Sequence, residues 1–305
     1  MPATNHLLFI FLDGIGLGAD DPAANPFAVA EMPLLENLAG GRWLKDLPRA
    51  VNGRASFVPT DACLGVPGRP QSATGQAAML TGRNVSAEIG MHYGPRPNPE
   101  IRAIIAEDNL FKQVVARGGS AALVDAYPPG FFSAVARGKR LLSSIQQAVH
   151  EAGLPLMDDQ ALRRGEAFSP DWTGEGWRSE LGYSDTPVYT PEEAGRRLGE
   201  VACQRTLTFY STWVTDVIGH RGPFERGVAL LERFDRVMAG LLEVWPDDGL
   251  IVISSDHGNM EDLSTRRHTE NPVPTLIIGA GHAAFAAGLT DLVGLTPHIL
   301  TALYG

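Results

Sequence analysis

Four largely apolar runs limit how this chain can fold: Leu7 to Leu12, Leu207 to Val214, Gly249 to Ser254 and Val273 to Ile278. They do not alternate with polar residues, which is the pattern of strands covered on both faces, as in a parallel sheet between two helical layers. Three of them lead into a carboxylate: Leu12 into Asp13, Val214 into Asp216 two residues on, and Ser254-Ser255 into Asp256. Ligands of open α/β sheets gather beyond the carboxyl ends of the strands, so this placement puts three carboxylates at one rim. Between the runs, helical patterns recur at Pro33 to Leu38, Ala73 to Leu80, Asn109 to Ala116, Pro191 to Ala202 and Glu225 to Val244. The expected fold is α/β, a three-layer sandwich around a mostly parallel sheet.

The middle of the chain has a different texture. Gly94-Pro95-Arg96-Pro97 and Pro128-Pro129-Gly130 interrupt it, and Trp172 to Trp177 lies among glycines. Residues 96–186 read as a smaller inserted α/β cap, between the halves of a discontinuous core at 1–95 and 187–305. Thr190-Pro191-Glu192-Glu193, a cap with a first-turn proline and an acidic first turn, re-opens that core.

Charge narrows the partners. The formal net charge of −10 argues against nucleic acid or an anionic membrane surface, since both select for excess Lys and Arg. It also repels phosphate, so an anionic substrate has to be drawn in by local cations, either metals or a few placed arginines. The lysines are Lys45, Lys112 and Lys139 alone. Cys63 and Cys203 are far apart and lack metal-ligand spacing, so they read as free thiols. Met1 to His6 has no basic and apolar signal pattern, and no run of about 18 apolar residues occurs. A cytoplasmic protein is expected; the oligomeric state is not legible.

Asp216 and His220 stand four residues apart just after a strand, close enough to share an ion if that turn is helical. Asp256-His257-Gly258 offers two more donors at another strand end, where glycine eases a turn. His268 precedes the proline-stiffened Asn271-Pro272-Val273-Pro274 approach to the last strand. Ser72 opens a run of small residues, Ala73-Thr74-Gly75-Gln76-Ala77-Ala78. Each has an ordinary alternative: a surface ion pair, an Asp-His-Gly turn, a solvated loop histidine, a helix-capping serine. The functional version of Ser72 uses the same position, because a hydroxyl at a helix N-terminus sits in positive potential and a nearby divalent ion favours its alkoxide.

Taken together, these segments resemble the alkaline phosphatase superfamily, in the branch holding cofactor-independent phosphoglycerate mutase and phosphopentomutase. The resemblance runs from Asp13-Gly14 through Asn25-Pro26, Leu64-Gly65-Val66-Pro67, Ser72 and Gly75, and resumes at Asp216 to His220, Asp256-His257-Gly258-Asn259 and His268-Thr269-Glu270-Asn271-Pro272-Val273-Pro274. It implies an alkaline phosphatase-like fold and two divalent metal ions, manganese favoured and zinc possible. Asp216, His220 and His268 would hold one, and Asp13, Ser72, Asp256 and His257 the other. Ser72 would accept the phosphoryl group of a small phosphorylated substrate, as in a phosphomutase or phosphatase.

The departures are Gln76, where the two mutases usually carry histidine, Gln71, where the phosphoglycerate enzyme has asparagine, and a middle segment much shorter than that enzyme's second domain. Phosphoglycerate mutase itself is therefore not the expected activity. Arg137, Lys139, Arg140, Arg163, Arg164, His92 and Tyr93 are candidates to grip a substrate anion. The competing readings are a phosphodiester or phosphonate hydrolase on the same scaffold, and a non-catalytic metal-stabilised ligand-binding protein.

Overall fold

The computed structural model describes residues 4–305; Met1 to Ala3, the first half of the segment without a signal pattern, lie outside the described residues. In chain order the strands are β1 (His6–Leu12), β2 (Ala50–Asn52), β3 (Ala55–Thr60), β4 (Ala121–Leu123), β5 (Ala126–Tyr127), β6 (Met157–Asp158), β7 (Leu207–Thr212), β8 (Gly249–Ser254) and β9 (Val273–Gly279). Seven of them form one sheet in the order β2-β3-β9-β8-β1-β7-β4, and β5 pairs with β6 separately. β4, β7, β1 and β8 are parallel neighbours. The continuous apolar runs predicted as strands occupy the centre of this sheet.

Alternation along β1 shows the sandwich directly. Leu7, Phe9 and Phe11 join the core on one face, while Leu8, Ile10 and Leu12 join the core on the other. The first face is covered by helices Ser72–Thr81, Pro99–Glu107, Leu110–Ala116, Ser144–Glu151 and Leu295–Tyr304, the second by Pro33–Ala39, Pro191–Ala202 and Phe224–Val244. Across β1 and β7, Phe9 stacks on Phe209 with ring centroids 4.7 Å apart, a pair worth about 0.5–1.5 kcal/mol beyond its burial. Thr190 and Glu193 form the reciprocal capping box, with Pro191 in the first turn, as the sequence predicts.

Two expectations need amending. β9 runs antiparallel to β8, not parallel. A parallel return needs a crossover, usually a helix, and the chain between β8 and β9 contains none, so it turns back at the same rim. The start of β9 therefore lies at the carboxyl ends of β1, β7 and β8. The boundaries at 96 and 186 also fail to coincide with a break in packing. Helices Pro99–Glu107, Leu110–Ala116 and Ser144–Glu151 belong to the main core, and β4 extends the main sheet with Ala121 beside Leu207. The remainder has a small core of its own around Ala161, Leu162 and Trp177. Both cysteines are free and half-buried, and no helix among the described residues is long and apolar enough to cross a membrane.

Candidate metal centre and active site

Asp13 follows the last residue of β1. After β7 the chain enters helix Val214–Arg221 almost at once, so Asp216 and His220 share a face, with His220 Nε2 3.4 Å from Asp216 Oδ1. Asp256 and His257 follow β8 and are fully buried. His268 reaches the same rim because β9 is antiparallel. Ser72 is the first residue of helix Ser72–Thr81; the N-cap is Gln71, so capping does not explain the serine. Two glycines let these parts close. Gly14 has φ +68° and a Cβ there would lie 2.7 Å from Asp216 Oδ1, while a Cβ on Gly75 would lie 2.8 Å from the Asp256 carbonyl oxygen.

The three imidazoles are held alike. Nδ1 of His220 contacts the Arg266 carbonyl at 3.2 Å, Nδ1 of His268 the Pro70 carbonyl at 2.8 Å, and Nδ1 of His257 the Gly258 carbonyl at 3.3 Å. A carbonyl only accepts, so each Nδ1 donates there and each Nε2 is directed at the rim. The Nε2 atoms of His220 and His268 face each other at 3.1 Å, with Asp216 Oδ1 3.4 and 3.6 Å away. Only a shared proton or a cation relieves that opposition. His257 Nε2 lies 3.0 Å from Ser72 Oγ, 3.5 Å from Asp13 Oδ1 and 3.6 Å from Asp256 Oδ2.

The carboxylates are arranged for positive charge. Burial holds the Asp13 carboxyl well above the usual range, and Asp256 and Asp216 add to the shift while Arg96 opposes it. Asp13 Oδ1 is buried without a hydrogen-bond partner. Burial and the nearby Asp216 push Asp256 up to about 7, against the hydrogen bonds from Gln76 and the Gly14 amide. Burial works against ionisation of Asp216 too, but His268, His257, Asn259 and His220 outweigh it and bring Asp216 down to about 2. Burial drives His257 down to about 3, and His268 adds to that. His268 is raised: burial opposes its charge, and its contacts to Asp216 and the Pro70 carbonyl prevail.

The donor atoms of Asp216, His220 and His268 lie within 4.8 Å of one another, and so do those of Asp13, Asp216 and His257. Asp216 thus stands beside both groups, where the resemblance assigns it to one. Asp256 and Ser72 reach the second group through the His257 Nε2 contacts. An orphaned carboxylate oxygen, inward Nε2 atoms and this mixed N/O donor set fit divalent cations.

A cavity of about 730 Å³ opens over this rim and is lined by Asp13, Ser72, Asp216, Arg96 and Arg140 among others. Burial and the neighbouring Arg140 push the Arg96 guanidinium down, and Asp13 opposes them. Arg140 lies over the Phe131 ring, 4.9 Å from its centroid. Among the described residues neither arginine has an acidic partner within ion-pair distance. The other substrate candidates are engaged elsewhere or point away. Arg137 and Lys139 do not line the cavity, Arg163 pairs with Asp159 and Asp185, and Arg164 pairs with Glu166. His92 bridges Ser86 Oγ and the Val66 carbonyl, and the half-buried Tyr93 packs against the hydrophobic core and does not line the cavity.

Sequence reasoning missed two residues. Arg96 sits inside Gly94-Pro95-Arg96-Pro97, read only as a chain break. Glu261 is 1% exposed and accepts from the amides of Gly16 at 2.9 Å and Asn259 at 2.7 Å, from Asn271 Nδ2 at 3.1 Å and from the Thr269 hydroxyl. Gln76, noted as a departure, donates Nε2 to Asp256 Oδ2 at 3.1 Å.

A family model described as Metalloenzyme superfamily matches residues 198–303. Among curated proteins, the 2,3-bisphosphoglycerate-independent phosphoglycerate mutase of Acetivibrio thermocellus is 33% identical over 96 residues, and that of Legionella pneumophila 34% over 100. Each alignment covers 29% of this chain and 18% of the relative. The chain thus matches less than a fifth of those relatives' length. Among solved structures, the alkaline phosphatase of an Antarctic bacterium superposes with a TM-score of 0.53 at 10% identity, covering 99% of this chain and 98% of that one. The Leishmania mexicana phosphoglycerate mutase gives 0.50 at 12%, with 99% and 96% covered. The fold is alkaline phosphatase-like, and about a third of the chain matches the metalloenzyme model. The fold accounts for what the aligned stretch leaves out: residues 198–303 carry Asp216, His220, Asp256, His257 and His268, and β1 and helix Ser72–Thr81 bring Asp13 and Ser72 to them.

Proposed function

We propose that the chain catalyses phosphoryl transfer on a small phosphate monoester through a phospho-Ser72 intermediate, with two divalent ions at the rim. The observation that supports this reading most is the convergence of three inward Nε2 atoms and three aspartates on one helix-start hydroxyl. Asp216, His220 and His268 would hold one ion; Asp13, Asp256, His257 and Ser72 the other, with Asp216 adjoining both. When bound, the ions lower the pKa of the serine hydroxyl and neutralise charge on the phosphoryl oxygens. Manganese is our first choice and zinc the second, since imidazole and carboxylate ligands suit both.

The chain's own groups then have separable tasks. Ser72 Oγ, already favoured as an anion by the helix N-terminus, forms the new O–P bond while the ester O–P bond breaks and the departing alcohol gains a proton. Arg96 and Arg140, which line the same cavity without carboxylate partners, orient the anionic phosphoryl oxygens. Gln76 holds Asp256 in place. Attack on phospho-Ser72 by water makes the protein a phosphatase; attack by another hydroxyl of a retained substrate makes it a mutase.

A panel of monoesters assayed with manganese or zinc, following both phosphate release and isomerised product, tests this. Ser72→Ala is expected to lower kcat by about 10³-fold or more. Full turnover by that variant with metal bound would sink the mechanism. Isomerised product without free phosphate would identify a mutase.

A further inference from the structure

Aromatic and apolar side chains form part of the cavity's lining. Trp213 lines it and is 51% exposed, unlike Trp43, Trp172 and Trp177, which are 1–2% exposed. Core packing therefore does not account for Trp213. Nor does helix stability: it occupies the N-cap of helix Val214–Arg221, makes no side-chain cap hydrogen bond, and stands where Ser, Thr, Asp or Asn would stabilise. It is three residues from Asp216. Leu181, 52% exposed, lines the same space, and so do Trp177 and Tyr183, whose ring centroids are 5.3 Å apart. A volume of about 730 Å³ is in the range that accepts drug-sized ligands, about 300–1,000 Å³. A phosphoryl group on a three-carbon acid would leave most of it to water, against exposed apolar surface.

We propose that the alcohol portion of the substrate carries a planar ring, seated against Trp213 and facing the Leu181, Trp177 and Tyr183 wall while the phosphoryl group lies at Ser72. This rests on the phosphoryl-transfer reading above and names its substrate class: a ring-bearing phosphate monoester, either a compact aryl phosphate or a nucleoside monophosphate. Trp213 is a specificity residue in this scheme. It touches the substrate away from the reacting atoms.

Binding without turnover separates the two ideas. In the Ser72→Ala protein loaded with manganese, calorimetric titration with phenyl phosphate, adenosine 5′-monophosphate and glycerol 3-phosphate is expected to show at least one ring-bearing ester binding about tenfold or more tightly than the ringless one, the effect of one stacked ring. Adding Trp213→Ala should reduce that ratio to about threefold or less, and Trp213→Phe should restore most of it; the phenylalanine variant also guards against a folding defect in the alanine one. Tight binding of both ring esters assigns recognition to the ring itself, whereas preference for one tells compact aryl from nucleoside substrates. Equal affinity for all three esters, a preference that survives Trp213→Ala, or no binding of any ester would each overturn the inference. Should the wild-type protein turn over every ester without preference, the phosphoryl-transfer reading stands and the ring subsite falls. With Trp213-dependent binding but no turnover of any ester, the ring subsite stands and the phosphoryl-transfer reading falls.

Discussion

Asp125 is buried apart from the metal ligands, with its carboxylate accepting from the Ser211 amide at 2.7 Å, from the Ser211 hydroxyl and from Tyr127 Oη at 3.2 Å. Burial pushes its pKa up to about 7, although all three donors pull the other way. Between about pH 4 and 7 the folded protein keeps a proton that the unfolded chain releases, so this contribution is complete below the unfolded value and is lost as pH rises through the folded one. Asp125→Asn stays neutral throughout. Urea unfolding at pH 5 and pH 8 is expected to show wild type losing up to about 3 kcal/mol more than the variant across that interval; identical pH dependence would contradict the assignment. Asp216 supplies a second test, since it adjoins both donor groups. Elemental analysis of gel-filtered protein should find Asp216→Asn depleted of both ions and His220→Ala of about one. Equal loss in the two variants would show that Asp216 serves one group only. Asp13, Asp216 and Asp256 are legible in the sequence because each follows a continuous apolar run. Arg96 is not, since nothing local distinguishes a turn arginine facing solvent from one facing a cavity.

Loops, more than strands, hold the rim together. Glu261 fastens the loop after β1 through Gly16, the loop after β8 through Asn259, and the approach to β9 through Thr269 and Asn271. Glu261→Ala leaves several buried donors without acceptors, and a loss of about 2–4 kcal/mol in unfolding free energy is expected, along with weaker metal retention. A change under about 0.5 kcal/mol would mean that the loops hold their shape without it. Gly75→Ala should push helix Ser72–Thr81 away from the Asp256 carbonyl and move Ser72 with it. An activity loss exceeding the stability loss would be the mark of that displacement. At this scale the helix and strand cores are readable from periodicity, and the direction of β9 is not, because an apolar run covered on both faces looks the same either way. Direction is set by the connection, and the chain between β8 and β9 lacks a crossover helix.

The whole molecule brings three buried or half-buried aspartates together under a net charge of −10, so cations and folding should be coupled. Chelation is expected to lower Tm by several degrees, with recovery on adding manganese or zinc, because ligands at about 1,000 times their Kd stabilise by about 4 kcal/mol. An unchanged Tm after verified metal removal would show that the protein alone bears the crowding. The 96–186 stretch is the hardest to read at this scale: β4 has three residues, too few for periodicity, yet it places that region on the main sheet. The position of β1 has a consequence of another kind. Both of its neighbours, β7 and β8, lie far downstream, the nearer beginning at Leu207. On a ribosome adding about 5–20 residues per second, the Leu7 to Leu12 segment emerges roughly 10–40 s before either partner exists. Throughout that interval a fully apolar strand with both edges open is exposed to the cell, which makes it the natural handle for a chaperone and the first point of misassembly during synthesis.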